Sequence, residues 1–416
     1  MKPSVNLNLP ALGPWTREKG SYLTGVLNHL RLHTALQPIF SLAHKRVVGY
    51  EALLRARDRD LNWISPARLF LRNDSPRETI RLDRLCRYIH LHNFLNLKDE
   101  VSWLFLNVSP ETIINGNRFG SFFKHLLEKY NFPAHRIVIE VVEYPIGDNA
   151  LLLEVVDYYK RLGCLIAIDD FGAGHSNFDR IWTLRPDIVK LDRSFLVKAS
   201  AQGSVRTMLS GIVSLLHQSG ALVLIEGVET EDQAMIAIES EADFVQGFFF
   251  GRPFMDLTCP TPQEPDFARL FDAYKGFAGQ EEERLDKLLA KYNTLFAHAV
   301  QRLKSGSSLV AATKSLLTDP KVIRCYQVRT DGVQMGPTLV SPFLSAREDP
   351  RYKPLEDTKS ADWFRRHYLR RAILHPEQLQ VTRPYLSITG ARMCVTLSMR
   401  FAGGQKESVL CCDLFV

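Results

Sequence analysis

Residues 166–174, IAIDDFGAG, place two acids side by side where an apolar run stops and a glycine-rich turn begins. Adjacent side chains of a regular strand point to opposite faces, so Asp169 and Asp170 can converge on one target only where the strand gives way to a loop. Two carboxylates this close repel each other unless cations lie between them, which favours a metal site. A pair of helix-capping residues is the alternative, because aspartate commonly caps a helix. The stretch alone leaves both interpretations open.

The apolar run in this stretch is one of a series of strand candidates between Ala35 and Phe254. They are ALQPIFSL, RVVGYEALL, WLFLNV, RIVIEVV, LIAID, PDIVKL, ALVLIEG and DFVQGF. Helix candidates alternate with them near residues 76–96, 117–130, 148–162, 203–219 and 230–239. Strands that are apolar on both faces and separated by helices predict an α/β fold with a TIM-like (β/α)8 barrel. Only AHKR separates the first two, which is too short for a helical crossover, so we expect an antiparallel first strand.

Polar side chains recur at or near the C-terminal ends of these strand candidates, where a β/α barrel places its active site. They are Glu51, Asn107, Glu140, Asp169, Lys190, Glu226 and Gln246. A single buried polar residue is usually a hydrogen-bonded core group, so the prediction rests on the whole set. The set predicts a polar site at one mouth of the barrel.

Composition and charge narrow the class of protein. The 416 residues, 45% hydrophobic and 24% charged, are typical of a soluble globular protein with two domains. The net charge of +6 is spread along the chain, so it suits an anionic ligand without indicating nucleic acid as a partner. The 7 cysteines show no metal-ligand spacing, and we expect free thiols. We find no signal peptide and no membrane segment, and therefore expect a cytoplasmic protein.

The pattern changes after Pro253, where the Pro-rich MDLTCPTPQEP ends the predicted barrel. A helical stretch follows from about Asp266 to Lys304, with apolar residues three or four apart. They are Leu285, Leu288, Tyr292, Leu295, Ala299 and Leu303. This spacing fits a packed helix and a dimer seam equally well. The strand candidates VIRCYQV, LQVT, ARMCVTLSMRF and ESVLCCDLFV then surround a helical insert, ADWFRRHYLRRAI, which predicts an α+β module. The predicted boundaries are residues 1–256, 257–305 and 306–416.

Ordered motifs carry a resemblance to a known family. They are QPIFSLAHKRVVGYEALLR, which contains Glu51-Ala52-Leu53, then LNVSP, IEVVE, DDFGAG, IVKLD, EGVET and QGFFFGRP. Over about residues 20–256 the chain resembles the EAL family of cyclic di-GMP phosphodiesterases. The resemblance implies a cyclic-guanylate-specific phosphodiesterase that hydrolyses cyclic di-GMP to linear pGpG. The segment after the linker is similar to sensor domains of the PAS and Cache type.

The resemblance also implies a site for two divalent cations, Mg²⁺ or Mn²⁺. One cation would be bound by Glu51, Asn107, Glu140 and Asp169. Asp169 would bridge to the second cation, which Asp170 also binds. Oxygen donors without thiolates suit these cations rather than a structural zinc. Such a pair neutralises the phosphoryl oxygens, activates water and stabilises the leaving oxygen.

The same resemblance implies that Glu51 and three further residues are catalytic and that a fourth residue binds the substrate. Lys190 would hydrogen-bond the attacking water, and Gln246 would position water near the second cation. Glu226 would either position water near the second cation or act as the general base, and both roles stay open. Arg55 would contact a substrate phosphate.

Further residues would complete the site by resemblance. Gln37 and Leu53 would line the substrate pocket. Glu143 would hold the DDFG loop in place, and Glu229 would support a neighbouring loop.

The sequence departs from the family pattern near the site. The turn that usually reads DFGTGYSS is DFGAGHSN here, with His175 and Asn177 at altered places, and Val142 stands where the family has threonine. For His175 a loop-packing role is favoured over a catalytic one. None of these changes removes a proposed cation ligand. The alternative function is a catalytically weak or inactive cyclic di-GMP receptor, although such members usually lack several ligands.

The C-terminal segment has its own candidate roles. We expect a homodimer, with this segment as a sensor or dimerisation domain. Its arginines are candidates for binding a small anionic ligand, although arginines on a helix more often form a solvated face. They are Arg365, Arg366, Arg370, Arg371 and Arg383.

Overall fold

The computed structural model describes most of the chain. The described residues are 7, 9–71, 75–115, 122–142, 149–173, 178–257, 265–343, 358, 360–387, 393–403 and 406–415. The predictions for Glu143, His175 and Asn177 lie outside these residues. Two compact units are present, residues 1–276 and 277–416.

The first unit alternates strands and helices. Its strands are β1 (Thr16–Lys19), β2 (Tyr22–Leu27), β3 (Leu30–Ser41), β4 (Arg46–Arg57), β5 (Trp63–Ile64), β6 (Trp103–Val108), β7 (Ile137–Val142), β8 (Leu165–Phe171), β9 (Ile188–Leu191), β10 (Leu222–Ile225) and β11 (Phe244–Val245). Its helices are α1 (Leu9–Leu12), α2 (Pro66–Leu71), α3 (Pro76–Phe94), α4 (Pro110–Asn115), α5 (Phe122–Tyr130), α6 (Asn149–Leu162), α7 (Phe178–Leu184), α8 (Ser194–Ala201), α9 (Gly203–Gln218) and α10 (Glu231–Glu239). Each helix predicted within residues 76–239 is present.

Eight strands of the described chain close into a barrel. The order runs β4, β6, β7, β8, β9, β10, β11 and β3, and β3 pairs again with β4. Strand β3 is antiparallel to both of its neighbours, β4 and β11, whereas the other barrel pairings are parallel. The prediction of a TIM-like barrel with an antiparallel first strand is therefore confirmed.

An apolar layer fills the barrel below the predicted site. Seven of the barrel strands contribute one buried residue each: Ile39, Phe105, Val138, Ala167, Ile188, Leu224 and Phe244. The predicted polar residues lie two positions nearer the mouth, for example Glu140 after Val138 and Lys190 after Ile188. Because residues two apart on a strand share a face, the polar side chains stand directly above the apolar layer.

The sequence analysis missed β1, β2 and β5, which lie outside the barrel. A buried side chain of α3 positions β2. Asn93 accepts a hydrogen bond from the backbone N–H of Leu23 at 2.8 Å and donates to the Leu23 carbonyl at 2.8 Å. It also donates to Thr34 Oγ1 at 3.0 Å. Tertiary hydrogen bonds, rather than a local sequence signal, therefore hold this strand.

Replacing Asn93 by alanine is expected to lower the free energy of unfolding by about 2–4 kcal/mol, because both backbone groups of Leu23 lose a buried partner. Urea denaturation followed by circular dichroism measures this change. Asn96→Ala is the control, since Asn96 donates to Ser21 at an exposed position. Equal effects of the two substitutions would contradict the expectation.

The second unit is rich in β-sheet. Its strands are β12 (Val322–Arg329), β13 (Gln334–Val340), β14 (Gln380–Val381), β15 (Tyr385–Leu386), β16 (Met393–Gly403) and β17 (Lys406–Phe415). The helices that follow the barrel are α11 (Phe267–Lys304), α12 (Leu309–Ala312), α13 (Lys314–Leu317) and α14 (His367–Leu374). The antiparallel sheet has the order β13-β12-β17-β16-β14, and β15 also pairs with β16. An α+β module was predicted, but β13 was not, and the resemblance to PAS or Cache domains stays a prediction.

The apolar seam of α11 packs within the second unit over the part whose side chains are described. Tyr292 and Ala299 are buried in a core cluster with sheet residues such as Val322, and Leu295 and Leu303 pack against that cluster. This portion therefore follows the packed-helix alternative. The homodimer stays a prediction.

The arginines proposed to bind an anion in this unit are mostly exposed. Arg365, Arg370, Arg371 and Arg383 lie at the surface. Arg366 is half-buried, and its guanidinium lies 5.7 Å from the centre of the Tyr385 ring. A shared anion site among these side chains stays a prediction.

Two expectations from the sequence concern the cysteines and membrane-spanning helices. The described cysteines, namely Cys86, Cys164, Cys325, Cys394, Cys411 and Cys412, are free and buried. Among the described residues, no helix combines the length and apolar character that crossing a membrane requires.

Candidate active site

Lys190 lies at the centre of the polar layer. Its side chain is 1% exposed, and Nζ lies 2.5 Å from Glu140 Oε1, 2.5 Å from Glu226 Oε1 and 2.9 Å from Asp169 Oδ1. Glu51 Oε2 is farther away, at 3.7 Å. One ammonium thus contacts acids from four different strands or strand ends, which only closure of the barrel can bring together.

Two amide side chains orient these acids. Asn107 donates hydrogen bonds to Glu51 Oε1 at 3.1 Å and to Glu140 Oε2 at 2.7 Å. Gln246 donates to Glu51 Oε2 at 2.7 Å. The Gln246 Oε1 atom is buried and has no hydrogen-bond partner among the described residues. A buried acceptor without a partner is costly, so this oxygen favours a water or a cation beside it.

The end of β8 explains how two consecutive acids converge. The β8–β9 register shifts between Ile168 and Phe171, and Asp170 has a φ of 55°. This left-handed backbone turns the Asp170 side chain out of strand alternation. Asp169, Asp170 and Glu226 each offer an oxygen within 4.8 Å of the others. The metal-site interpretation of the two aspartates stays a prediction.

The glycine after the two acids is also required by the fold. Gly172 has a φ of 104°, and a Cβ added there would lie 2.0 Å from Phe195 Cε2. A side chain at this position would have to displace the Phe195 ring and would also be strained by the positive φ.

Burial and mutual repulsion shift the acids of the site toward protonation. Burial, followed by the Glu51 carboxylate, raises the pKa of Glu140 well above its ordinary value, against the opposing effect of Lys190. Burial raises the pKa of Glu226 to about 8. Burial and the neighbouring Asp169 raise the pKa of Asp170 to about 6. Without cations, Glu226 therefore keeps its proton at neutral pH, and the pKa values of Glu140 and Asp170 are shifted in the same direction.

These shifts predict how the stability of the metal-free protein depends on pH. Between Glu226's ordinary pKa of 4.5 and about 8, the folded state retains a proton that the unfolded chain has lost. Stability should therefore fall as pH rises through this window, by up to about 1.4 kcal/mol per pH unit for each such group. The pKa of Lys190 is raised above 10.5, so its contribution stays constant there.

Melting temperatures measured in EDTA from pH 5.5 to 8.5 test this dependence. The decrease in melting temperature with rising pH should become smaller when Mn²⁺ is added, because a bound cation favours the ionised carboxylates. A metal-free protein that becomes more stable toward pH 8.5 would contradict it.

The residues present fit divalent cations. Every donor in the cluster is a carboxylate or amide oxygen, the set that Mg²⁺ and Mn²⁺ prefer. The described cluster holds five carboxyl groups around one ammonium, so ionising all five requires further positive charge. The unpartnered Gln246 oxygen agrees with this need.

The family profile described as the EAL domain matches residues 23–253. The chain belongs to the EAL domain family. The resemblance carried by the ordered motifs is thereby confirmed.

Individual relatives show how far the similarity extends. The chain is 30% identical over 276 residues to an uncharacterized EAL-domain containing protein, YkuI, of Bacillus subtilis, covering 64% of each protein. It is 34% identical over 129 residues to cyclic di-GMP phosphodiesterase RocR of Pseudomonas aeruginosa. This match covers 31% of this chain and 33% of RocR. The chain thus spans less than two thirds of the length of these relatives.

A solved structure resembles both units in fold. The crystal structure of the Bacillus subtilis YkuI protein, described as in complex with substrate c-di-GMP and calcium, matches with a TM-score of 0.76 at 24% identity. The match covers 92% of this chain and 96% of YkuI. At this identity the similarity shows the shared fold alone.

Two predicted residues of the EAL domain lie beside the acidic cluster rather than within it. Gln37 pairs with Glu51 across β3 and β4, and its Nε2 donates to the Gly251 carbonyl at 3.2 Å. Glu229 forms an ion pair with Arg193 at 2.8 Å in the loop that follows β10. Gln37 thus borders the mouth, and Glu229 ties two loops together.

A cavity of about 650 Å³ adjoins the acidic cluster. Leu53, Arg55 and Asn107 line it. The sequence analysis missed Asp83, which also lines this cavity and accepts a hydrogen bond from the backbone N–H of Ser109 at 2.8 Å. An acid within the apolar face of helix α3 is the signal that could have identified it.

Proposed function

We propose that the EAL domain hydrolyses cyclic di-GMP to linear pGpG with the help of two divalent cations, Mg²⁺ or Mn²⁺. The observation that carries this proposal is the convergence of five carboxylates around Lys190 at one mouth of the barrel. Support comes from RocR, which is named a cyclic di-GMP phosphodiesterase, and from YkuI, whose structure is described as a complex with substrate c-di-GMP and calcium.

In this proposal the acidic cluster binds the cations. Glu51, Asn107, Glu140 and Asp169 would hold one cation, and Asp169 and Asp170 would hold the other. When bound, the cations neutralise the phosphoryl oxygens and make water nucleophilic at neutral pH.

The chain's own residues orient the reactants. Lys190 donates a hydrogen bond to the attacking water from Nζ, and its contacts with buried acids keep that ammonium charged. Glu226 accepts the water proton at its carboxylate or positions that water beside Gln246. Arg55 lines the adjoining cavity, where its guanidinium neutralises a substrate phosphate.

The bond changes follow from this arrangement. The water oxygen bonds to phosphorus while the bond from phosphorus to the 3′ oxygen breaks, and that oxygen leaves as a hydroxyl after gaining a proton. The ring opens to a linear dinucleotide with a 5′ phosphate. The net reaction consumes one water and needs no oxidant or reductant.

Incubating the purified protein with cyclic di-GMP in Mg²⁺, in Mn²⁺ and in EDTA tests the proposal. Chromatography should detect pGpG with either cation and none in EDTA. Tight binding without turnover under every cation would instead favour the receptor alternative. Sedimentation of the same sample measures the predicted homodimer.

A further inference from the structure

Strands β3 and β4 extend well beyond the barrel mouth. Each spans twelve residues. Strand β6 pairs with β4 only at Gly49–Glu51, and β11 pairs with β3 only at Phe40–Ser41. Over the remaining length β3 and β4 pair with each other as a ribbon that begins at the acidic cluster and projects outward, and β2 and β5 flank this ribbon at its outer end. At about 3.3 Å per residue, Arg55 and Arg57 lie roughly 13 and 20 Å along β4 from Glu51.

One face of this ribbon is basic and open. The strand register places Gln37 beside Glu51, and Arg55 and Arg57 follow Glu51 on the same face. We call this surface the outer ribbon face; it consists of Arg31, His33, Arg55, Arg57 and Trp63. The opposite face, which includes Leu32, Thr34 and Ala56, is fully buried. The outer ribbon face therefore continues directly from the proposed active site.

The charges of the outer ribbon face are not neutralised within the part of the chain that the structure describes. Arg31 and Arg57 are direct cross-strand neighbours, and like charges in that position repel. Neither forms an ion pair with a described carboxylate. The Arg57 Nε atom is also buried without a hydrogen-bond partner among described residues. An anion bound here would reduce the repulsion between Arg31 and Arg57 and would give the Arg57 Nε–H an acceptor.

An aromatic platform accompanies these arginines. The Arg57 guanidinium lies 3.9 Å from the centre of the Trp63 ring, and Trp63 is 52% exposed. A tryptophan held by a cation on one side presents its other face to a planar base. Arginine with an exposed aromatic ring is the combination that binds nucleotides through phosphate contact and base stacking.

We propose that the outer ribbon face binds the guanylate of the substrate that lies away from the cleaved bond. Trp63 stacks on its guanine, and Arg57 with Arg31 contacts its phosphate. The inference rests on the proposed function, because it gives a binding surface to the second guanylate of the same substrate, cyclic di-GMP. A guanylate can come from cyclic di-GMP or from linear pGpG, and both are used as probes.

Trp63→Ala, Arg57→Gln and the control Arg46→Gln test this subsite. Arg46 is exposed at the opposite end of the same strand. Calorimetry with each dinucleotide in Ca²⁺ should show Kd raised about tenfold in the first two variants and within twofold of wild type in the control. Kinetics in Mn²⁺ should show the loss mainly in KM. The kcat/KM for cyclic di-GMP should fall about tenfold relative to that for bis(p-nitrophenyl) phosphate, which lacks guanine.

The two proposals fail separately. Weaker binding of either dinucleotide by Trp63→Ala and Arg57→Gln supports the subsite, and the more affected ligand identifies its main occupant. Kd values within twofold of wild type for both ligands in both variants would overturn it, whatever the turnover. Absence of turnover by the wild-type protein would overturn only the proposed hydrolysis, since calorimetry needs no catalysis.

Discussion

Replacing Glu51 by alanine is expected to reduce kcat/KM for cyclic di-GMP by about 10³-fold or more. Glu51 accepts hydrogen bonds from Asn107 and Gln246 and lies 3.7 Å from Lys190. Its removal takes away a proposed cation ligand and leaves the buried Gln246 amide without its acceptor. Losing several kcal/mol of charge stabilisation in the transition state corresponds to a change of this size.

Chromatographic detection of pGpG under saturating Mn²⁺ measures this effect. Glu154→Ala is a matched control, because Glu154 is an exposed glutamate of α6 outside the acidic cluster. Its activity should stay within twofold of wild type. The melting temperature of each variant separates lost chemistry from lost folding. Activity of Glu51→Ala close to that of the control would show that the assigned ligand set is wrong.

Lys190→Met is expected to lose both stability and activity. Added cations should restore much of the stability but not the activity. In EDTA the substitution should lower the free energy of unfolding by about 3–5 kcal/mol, because Glu140 and its neighbours lose their buried counter-charge. In Mn²⁺ the stability loss should shrink, since cations bound by the same carboxylates replace that charge. Activity should stay at least about 10²-fold below wild type, because the hydrogen bond to the attacking water is not restored.

Denaturation curves of wild type and Lys190→Met, each in EDTA and in Mn²⁺, measure the stability difference. Lys124→Met provides the control, since Lys124 is exposed on α5 and pairs only loosely with Glu128 at 3.8 Å. Its stability should change by less than about 0.5 kcal/mol in either buffer. An equal loss for Lys190→Met with and without Mn²⁺ would show that Lys190 and the cations do not share the acidic cluster.

Long periodic elements of this protein were predictable, and short ones were not. Helices α3, α6 and α9 have enough residues for their period to appear in the sequence, and their bounds agree closely with the prediction. Strand β2 was missed because Asn93, seventy residues away, satisfies the backbone of Leu23. The insert expected from Ala361 becomes helical only at His367, and Trp363 instead donates from its indole to Gln334 at 2.9 Å. In both cases a distant partner decided the local structure.

The sequence by itself determined which residues belong to the polar layer. Strands β6 to β11 each lead to a polar side chain two residues beyond an apolar one, and alternation along a strand is a local property. Only the tertiary structure decided how these side chains meet. Gln246 contacts Glu51 across 195 residues of chain, and Lys190 reaches acids from three other strand ends. Distances of this kind depend on barrel closure and on the left-handed backbone at Asp170, and neither is encoded by residue spacing.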